Sequence, residues 1–237
     1  MYDFSGKIAI VTGSSGNLGR AAAHAFLSCG AKVALFDRLR GDPRALFPDL
    51  AAGEADVLPV ELDLTDSTAV ASQVAAVAAH FGRLDILVNT AGGFRGHSLP
   101  ETTPEEWDFL MNLNARTVFN TCRAALPYLV NQGSGKIVSV AARAALAGKA
   151  NMAVYTAAKS AVVRLTEGVA EEVKGSGVNV NCILPGTLDT PQNRQARPDE
   201  DHSRWVTPEA LSDVILFLAS DAARAIHGAA IPVYGLS

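Results

Sequence analysis

A tyrosine and a lysine four residues apart, Tyr155 and Lys159, are the side chains of this sequence best suited to proton chemistry. In a helix this spacing places both on one face, one turn apart. A phenol with its ordinary pKa of about 10 is a poor acid or base near neutral pH. A neighbouring ammonium favours the phenolate, so the pair predicts a Tyr155 pKa lowered toward the working range of a general acid or base. A plain surface pair on an alanine-rich helix has the same spacing, so the assignment depends on the rest of the chain.

A glycine-rich segment, residues 12–20, follows a short apolar strand pattern at residues 7–11. An alanine-rich helical pattern then runs to about residue 27, and a second strand pattern at residues 32–36 ends at Asp37. This order is the layout of a dinucleotide-binding βαβ unit: a strand, a glycine-rich turn, a helix, and a second strand that ends in an acidic residue. A flexible Gly/Ser loop is the alternative interpretation of the turn.

The glycines and the acid have separate physical roles in this layout. Gly13 permits a tight turn, and Gly19 lets the helix approach the sheet and the cofactor, whose pyrophosphate faces the free N–H groups of the helix start. Asp37 can accept hydrogen bonds from both ribose hydroxyls and would repel a 2′-phosphate, so we predict a preference for NAD (NADH) over NADP. Arg38 leaves NADP open, because a guanidinium group can pair with a phosphate.

The rest of the chain alternates strand and helix patterns. Further strands are predicted at residues 57–62, 84–88, 136–140, 178–184 and 229–234. Further helices are predicted to end near residue 80 after the N-cap Asp66, to run from Pro104 to about residue 130, to cover residues 153–174, and to run from Pro208 to about residue 218. Residues 38–56 and 187–204 are predicted to be loops, the first with a short helix. Continuously apolar strands indicate a parallel α/β sheet covered on both faces, with ligands at its carboxyl edge.

The composition is that of a globular protein, and it limits the classes of binding partner to be expected. It has 237 residues, of which 49% are hydrophobic and 19% charged, and we expect one dinucleotide-binding and catalytic domain over residues 1–237. A net charge of -4 with scattered Lys and Arg gives no reason to expect nucleic acid, and no apolar run reaches the length of a membrane helix. Three distant cysteines, Cys29, Cys122 and Cys182, indicate reduced thiols and a cytoplasmic location. The five histidines show no metal-ligand spacing, so no metal is expected.

Several motifs occur in one order that resembles the short-chain dehydrogenase/reductase family over essentially the full length. They are Thr12-Gly13 through Gly19, Asp37, Asp63, Asn89-Thr90-Ala91-Gly92, Asn114, Tyr155 with Lys159, and Pro185-Gly186. The resemblance implies a Rossmann-type, doubly wound parallel sheet of seven strands in a three-layer α/β/α arrangement. It also implies a nicotinamide cofactor, a small-molecule substrate, and a homodimer or homotetramer built on the helix from Pro104 and the helix that carries Tyr155.

The resemblance also implies roles for individual residues. Tyr155 would be the general acid or base, Lys159 would hold the nicotinamide ribose and lower the Tyr155 pKa, and Asn114 would position a water in a proton relay. Asp63 would lie near the adenine, and Thr190 would hold the carboxamide. The full set of cofactor contacts would be Gly13, Ser15, Asn17, Leu18, Gly19, Asp37, Asp63, Leu64, Asn89, Ala91, Gly92, Tyr155, Lys159, Pro185, Gly186, Leu188 and Thr190.

Two single positions depart from the family pattern. Asn17 stands at the middle glycine of the phosphate loop, and we expect it to be tolerated because Asn accepts a left-handed backbone better than most residues. Ala142 stands thirteen positions before Tyr155, where the family usually has a serine that donates to the substrate oxygen. Ser139 is nearby but lies within the predicted strand, and we expect a locally bonded hydroxyl there. Losing one such donor costs about 10²–10³ in rate at comparable sites.

The segment after the sixth strand, residues 191–201, is short and polar where the family usually builds a substrate lid. Together with Ala142 and the residues 91–94, 144–146 and 184–194, it is similar to the dihydropteridine reductase branch. We therefore expect a small polar acceptor, conjugated and pterin-like, in an open pocket. An ordinary carbonyl or alcohol substrate that tolerates Ala142 is one alternative, and a non-catalytic dinucleotide-binding scaffold is the other.

One histidine and both tryptophans of the sequence lie near predicted site loops or helices. His97 follows the predicted cofactor-side loop and is expected either on the surface or facing the substrate. Trp107 and Trp205 are expected to be packing residues, with lining of the pocket as the alternative for Trp205.

Overall fold

A computed structural model describes residues 2–38 and 56–237 of the chain. Its described residues contain a seven-stranded sheet in the order β3-β2-β1-β4-β5-β6-β7, and every neighbouring pair is parallel. The strands are β1 Ile8–Thr12, β2 Lys32–Asp37, β3 Val57–Glu61, β4 Ile86–Asn89, β5 Gly135–Val140, β6 Val178–Pro185 and β7 Ala230–Val233. The chain order reverses between β1 and β4, which opens a crevice at the carboxyl edge of the sheet.

Helices cover both faces of this sheet. They are α1 Asn17–Ser28, α2 Ser67–Phe81, α3 Pro104–Met111, α4 Thr117–Gln132, α5 Ala153–Glu172, α6 Pro191–Ala196 and α7 Pro208–Ala219. One hydrophobic cluster joins the sheet to α1 and α7, and a second joins the opposite face to α2, α4 and α5. The predicted three-layer, doubly wound α/β/α architecture is confirmed.

Strand β1 shows why the strand patterns are continuously apolar. Ile8 and Ile10 belong to the cluster on one face, and Ala9 and Val11 belong to the cluster on the other. Successive side chains of a strand point to opposite faces, so a strand covered by helices on both sides needs apolar residues at every position. All five β1 residues are buried accordingly.

Two predicted helix starts have the expected capping bonds. The Asp66 carboxylate accepts hydrogen bonds from the Thr68 and Ala69 N–H groups at 2.9 and 3.0 Å, and α2 begins at the next residue. Thr207 Oγ1 accepts from the Ala210 N–H at 3.2 Å at the start of α7. Each side chain satisfies an N–H group that has no partner within its helix.

Two predicted segments differ from the structure. The helix predicted from Pro104 to about residue 130 is divided into α3, a π-helical turn at Asn112–Arg116, and α4. Residues 187–204, predicted as a loop, contain α6 and a 3₁₀ turn at His202–Arg204. Neither feature has a strong local signal, since a π turn differs from an α turn by one residue per hydrogen bond. The short helix expected within residues 38–56 lies almost wholly outside the described residues.

The loops that follow β1, β4, β5 and β6 meet at the carboxyl edge of the sheet, where parallel sheets bind their ligands. In the described part of the chain, no helix combines the length and the apolar character that crossing a bilayer requires.

Candidate active site

Two neighbouring cavities lie at this carboxyl edge. The first, the glycine-loop cleft, has a volume of about 590 Å³ and is bordered by the loop after β1, the end of β2, the loop after β4 and the start of α5. The second, the outer pocket, also holds about 590 Å³. Tyr155 lines both cavities, as do Phe94, Ala142, Pro185, Gly186, Leu188 and Asn193.

The glycine loop is shaped by two close approaches. Gly13 has a φ of +63°, and a Cβ added there would lie 2.8 Å from the Cα of Ala91. A Cβ added at Gly19 would overlap the Gly13 carbonyl oxygen and lie 2.8 Å from Thr90 Oγ1. Only glycine fits either position, so the turn and the start of α1 can approach the loop after β4.

Asn17 does not need the left-handed backbone expected for it. It is the first residue of α1, after Gly16 at the N-cap, and the described non-glycine residue with a positive φ is Asn151. The Asn17 side chain instead donates from Nδ2 to Gln192 Oε1 at 2.9 Å. A glycine at this position would have no side chain with which to reach α6.

Asp37 and Arg38 border the far end of the cleft. The Asp37 carboxylate accepts hydrogen bonds from the Ser15 N–H at 2.7 Å and the Ser15 hydroxyl at 2.6 Å. The Arg38 guanidinium pairs with Asp63 at 2.5 Å, and Thr65 also donates to that carboxylate. The Arg38 hydrogen bond is the main reason that the pKa of Asp63 falls to about 2.

Tyr155 and Lys159 share a face of α5 as predicted, but their electrostatics differ from the expectation. Burial raises the pKa of Tyr155 to about 12, and burial lowers the pKa of Lys159 to about 8. The Lys159 ammonium donates to the Val140 carbonyl oxygen at 2.9 Å rather than to the phenol. The expected lowering of the Tyr155 pKa is therefore not found: burial is the cause of its shift, and the Lys159 ammonium is bonded to a carbonyl oxygen instead of the phenol.

Asn114 lies in the π turn and is fully buried, so it does not line the cleft directly. Its Nδ2 donates to the Gly93 and Leu110 carbonyl oxygens at 3.0 Å each, and its Oδ1 accepts from the Gly93 N–H at 3.2 Å. A Cβ added at Gly92 would lie 2.8 Å from Asn114 Oδ1 and 3.1 Å from Lys159 Nζ. Asn114 thus holds the loop after β4 close to the lysine.

Asn89 has its side chain directed away from the cleft. Its Nδ2 donates to Ser139 Oγ at 3.1 Å and to Cys122 Sγ at 3.5 Å, and its Oδ1 accepts from Thr121 Oγ1 at 2.7 Å. This network is buried between β4, β5 and α4. Ser139 is therefore bonded across to the neighbouring strand, and it does not take the place of a hydroxyl at Ala142.

Most of the predicted cofactor contacts converge on the glycine-loop cleft. Those that line it are Gly13, Ser15, Asn17, Leu18, Gly19, Asp37, Asp63, Leu64, Ala91, Gly92, Tyr155, Lys159, Pro185, Gly186, Leu188 and Thr190. Asn89 and Asn114 are the two predicted site residues that lie behind the lining.

The sequence interpretation missed two polar residues of α6. Gln192 lines the cleft, and Asn193 lines both cavities while its Nδ2 donates to the Leu188 carbonyl oxygen at 2.8 Å. Thr190 Oγ1 caps this helix by accepting from the Asn193 N–H at 3.2 Å. The available signal was Thr190-Pro191, an N-cap followed by proline at the first helical position.

The structure gives the positions of His97, Trp107 and Trp205. His97 Nδ1 lies 2.8 Å from Glu106 Oε1, and this histidine lines neither cavity. Trp205 is buried and lines the outer pocket, so it is both a packing and a lining residue. Trp107 is 46% exposed, and its expected packing role is wrong.

The geometry fits a nicotinamide dinucleotide. The crevice has a glycine cradle that a Cβ would fill, an unobstructed N-terminus of α1 for a pyrophosphate, and a carboxylate at the end of β2 for a ribose. Among the described residues, no three His, Cys, Asp or Glu side chains are grouped as ligands for a metal ion.

Comparison with known proteins agrees with this geometry. The family model described as short chain dehydrogenase matches residues 7–201. A 3-oxoacyl-[acyl-carrier-protein] reductase of Thermotoga maritima is 31% identical, with 97% of each chain covered. A 2-(R)-hydroxypropyl-CoM dehydrogenase of Xanthobacter autotrophicus is 36% identical, again with 97% of each chain covered.

A solved structure supports the same assignment. The crystal structure described as that of a short-chain dehydrogenase/reductase from Burkholderia xenovorans has a TM-score of 0.90 and 33% identity, covering 98% of this chain and 96% of that one. The chain belongs to the short-chain dehydrogenase/reductase family and is an NAD(P)-dependent oxidoreductase. This result favours the enzymatic interpretation over a non-catalytic scaffold.

The buried Lys159 predicts a specific dependence of stability on pH. Its pKa is about 8 in the folded chain and 10.5 ordinarily, so between these values the unfolded chain binds more protons. Stability therefore rises with pH across this window and is lost as pH falls through about 8. Relative to Lys159→Met, the parent should lose about 3 kcal/mol of unfolding free energy between pH 10.5 and pH 7.5.

Urea unfolding at a series of pH values measures this difference. Lys174→Met is the matched control, because Lys174 is exposed and pairs with Glu171 on the protein surface. A parallel pH dependence in the parent and in Lys159→Met would contradict the burial of a readily deprotonated ammonium.

Proposed function

We propose that this oxidoreductase prefers NADH and that Tyr155 exchanges a proton with a small polar acceptor held in the outer pocket. The observation that carries the proposal is the position of Tyr155, which lines both cavities, whereas Lys159 lines only the glycine-loop cleft. A group at this junction faces the cofactor on one side and an acceptor on the other. Residues 1–237 would act as one cofactor-binding and catalytic domain.

A bound nicotinamide supplies or accepts a hydride, which is a proton with two electrons. In the reductive direction the acceptor gains that hydride, and the Tyr155 hydroxyl donates its proton to the acceptor atom that receives the displaced electron pair. A pKa of about 12 keeps the phenol protonated at neutral pH, so the proton needed for reduction is present, but it also makes this phenol a weaker acid than an ordinary tyrosine. Lys159 would hold the nicotinamide ribose, and Asn114 would fix the loop against which that ribose lies.

The charges at the end of β2 support the preference for NADH. Asp37 presents a carboxylate where the adenosine ribose of a dinucleotide would lie, and a 2′-phosphate would be repelled there. Arg38 raised the alternative of NADP, but its guanidinium is engaged by Asp63 at 2.5 Å. A 2′-phosphate bound by Arg38 would therefore have to share the guanidinium with the Asp63 carboxylate.

The acceptor we propose is conjugated and pterin-like, because Ala142 offers no side-chain hydroxyl and Ser139 is bonded elsewhere. An acceptor that spreads charge by resonance depends less on a second hydrogen-bond donor than an isolated ketone does. Phe94 packs edge-on against Tyr155 with ring centroids 5.0 Å apart, which provides an apolar wall for a flat ring.

Carbonyl and alcohol substrates are the alternative, and the relatives favour them. Besides the reductase and the dehydrogenase described above, a 2-dehydro-3-deoxy-D-gluconate 5-dehydrogenase of Escherichia coli is 32% identical, with 99% of this chain and 96% of that one covered. Such a substrate would have to be held without the family serine.

A groove between α4 and α5 supports assembly into a homodimer or homotetramer. Phe119, Leu126 and Val130 lie on one face of α4, and Leu165 and Val169 lie on one face of α5. Phe119 is 48% exposed and Val130 37%, so an apolar surface is presented to solvent by the isolated chain. A second copy related by a two-fold axis would cover it.

The state of the three cysteines supports a location in a reducing compartment. Cys29, Cys122 and Cys182 are all free thiols, and the last two are buried. We propose a reducing, cytoplasmic location on this basis.

Replacing Tyr155 by phenylalanine tests the proposed acid. Tyr155→Phe should lower kcat by about 10²–10⁴-fold while leaving the Kd for NADH within about twofold, since a general acid acts in the chemical step. The measurement follows NADH absorbance with quinonoid dihydropterin and with a panel of ketones. Tyr128→Phe on α4 is the matched control. A Tyr155→Phe protein as fast as the parent would refute the role.

Replacing Asp37 by asparagine tests the cofactor preference. The parent should bind NADH more tightly than NADPH, and Asp37→Asn should reduce that ratio about tenfold or more, because it removes a charge facing the 2′-phosphate. Nicotinamide fluorescence titration gives both Kd values, with Asp66→Asn at the distant cap of α2 as the control. Equal affinity of the parent for the two cofactors would be inconsistent with the proposal.

Light scattering tests the assembly. The parent should have the mass of a dimer or tetramer, and Val130→Asp should shift it toward monomer because it places a charge in the apolar groove. Leu99→Asp, at an exposed apolar residue outside the groove, is the control. A parent that is monomeric at micromolar concentration would exclude the proposed interface.

A further inference from the structure

The outer pocket has a charge opposite to that of the whole chain. The chain carries a net charge of -4, yet cationic side chains outnumber acidic ones by four to two in this lining. The charged residues are Arg143, Lys149, Arg197, Arg204, Glu200 and Asp201. A local positive potential in a concave site raises the concentration of anions there.

The two side-chain carboxylates pair directly with only one of the four described cations of this lining. Glu200 lies 3.6 Å from Arg197, while Asp201 accepts hydrogen bonds from Ser203. Within residues 2–38 and 56–237, no aspartate or glutamate lies within 4.0 Å of Arg143, Lys149 or Arg204.

The two arginines are held in place by main-chain oxygens of Ser237 and Leu236. Arg143 donates to the Ser237 main-chain oxygen at 2.6 Å, and its guanidinium lies 4.8 Å from the centre of the Tyr234 ring. Arg204 donates to the Leu236 carbonyl oxygen from two nitrogens at 2.8 and 3.1 Å. Each guanidinium has five N–H donors, so both keep free donors after these contacts.

The cations come from three separate segments. Arg143 lies in the 3₁₀ turn after β5, directly after Ala142, and Lys149 lies in the loop that precedes α5. Arg197 and Arg204 follow α6. None of the four lines the glycine-loop cleft, so the phosphates of a dinucleotide in that cleft are not what they face.

We propose that the outer pocket is a recognition site for an oxyanion, so that the acceptor reduced with the help of Tyr155 carries a carboxylate, sulfonate or phosphate group. This inference rests on the proposed function for its identification of the bound molecule as the acceptor. The anion lies toward the cations, and the reacting atom lies toward Tyr155 and the cleft. Guanidinium groups suit this role because they bind oxyanions through paired hydrogen bonds.

Binding of the acceptor's anionic group by these cations would also orient the acceptor beside Ala142. Ala142 stands where the family usually has a side-chain hydroxyl donor, so this position has no polar side chain. The next residue, Arg143, contributes a cation to the pocket. Orientation then comes from the far end of the substrate rather than from a second bond at the reacting oxygen. Charged acceptors are expected to be preferred over their neutral analogues of the same shape.

Fluorescence of Trp205 reports on the pocket without any cofactor. The chain has two tryptophans, so Trp107→Phe leaves Trp205, which is buried and lines the pocket, as the sole indole. Malonate, methanesulfonate and inorganic phosphate are titrated at constant ionic strength, with malonamide as the neutral match for malonate. At least one anion should give a saturable change, and malonamide should give none over the same range.

Charge variants in the same background assign the effect to the pocket. Lys149→Gln and Arg197→Gln should each weaken binding of the best anion by about twofold to fivefold, the range for exposed ion pairs. Arg143→Gln should weaken it by about tenfold or more, whereas Arg143→Lys keeps the charge and should lose less. Lys174→Gln removes an equal charge far from the pocket and should change nothing.

Turnover separates this inference from the proposed function. Acetoacetate and its methyl ester are compared as acceptors with NADH, and the acid should have at least a tenfold higher kcat/KM. Tyr155-dependent reduction of both at equal kcat/KM would overturn the oxyanion site while the proposed function stands. Absence of binding by all three anions, or binding unchanged in the Lys149, Arg197 and Arg143 variants, would also overturn it. Variant-sensitive anion binding without turnover of acetoacetate, its methyl ester or quinonoid dihydropterin would support the site and count against the proposed function instead.

Discussion

The organisation of this site depends on the lack of space between the loops that follow β1 and β4. Gly13 and Ala91 approach so closely that a single added Cβ would lie 2.8 Å from backbone, and Gly19 has no more room against Gly13 and Thr90. Because the loops touch, the start of α1 points into the crevice where the strand order reverses. The same approach brings the loop after β4 against α5, where Gly92 lies beside the Lys159 ammonium.

Burial then sets the chemistry of α5. Lys159 is buried and Tyr155 is partly buried, and each consequently shifts toward its neutral form, the phenol with a pKa of about 12 and the amine with a pKa of about 8. The phenol therefore carries its proton at neutral pH. The Val140 carbonyl oxygen fixes the lysine at 2.9 Å and keeps its ammonium solvated by the protein itself.

At two positions, Asn17 and Ala142, the residue differs from the family pattern, and each difference affects a part of the site beyond its own loop. Asn17, at a family glycine, reaches across to Gln192 and connects the start of α1 with α6, so the phosphate loop and the lid segment are joined by a hydrogen bond of 2.9 Å. Ala142 removes a hydroxyl from the outer pocket, while Arg143 and Lys149 contribute cations to its lining. In the proposed oxyanion site, recognition would shift from the reacting atom to a charged group of the substrate, whose binding energy can still position the reacting centre.

Strand periodicity, the glycine spacing and the Tyr155–Lys159 pair were sufficient for the fold, the family and most of the cleft, because these signals are local or repeat along the chain. Burial on both faces of β1 follows directly from its unbroken apolar run. The direction of the Asn89 side chain, the π turn at Asn114 and the pKa shifts were not accessible in the same way. Each depends on groups far apart in sequence, such as Asn89 with Ser139 or Lys159 with Val140, and on how completely water is excluded around them. Desolvation is a property of the assembled walls rather than of any residue, so the direction of both pKa shifts emerged only once α5 was packed on the sheet.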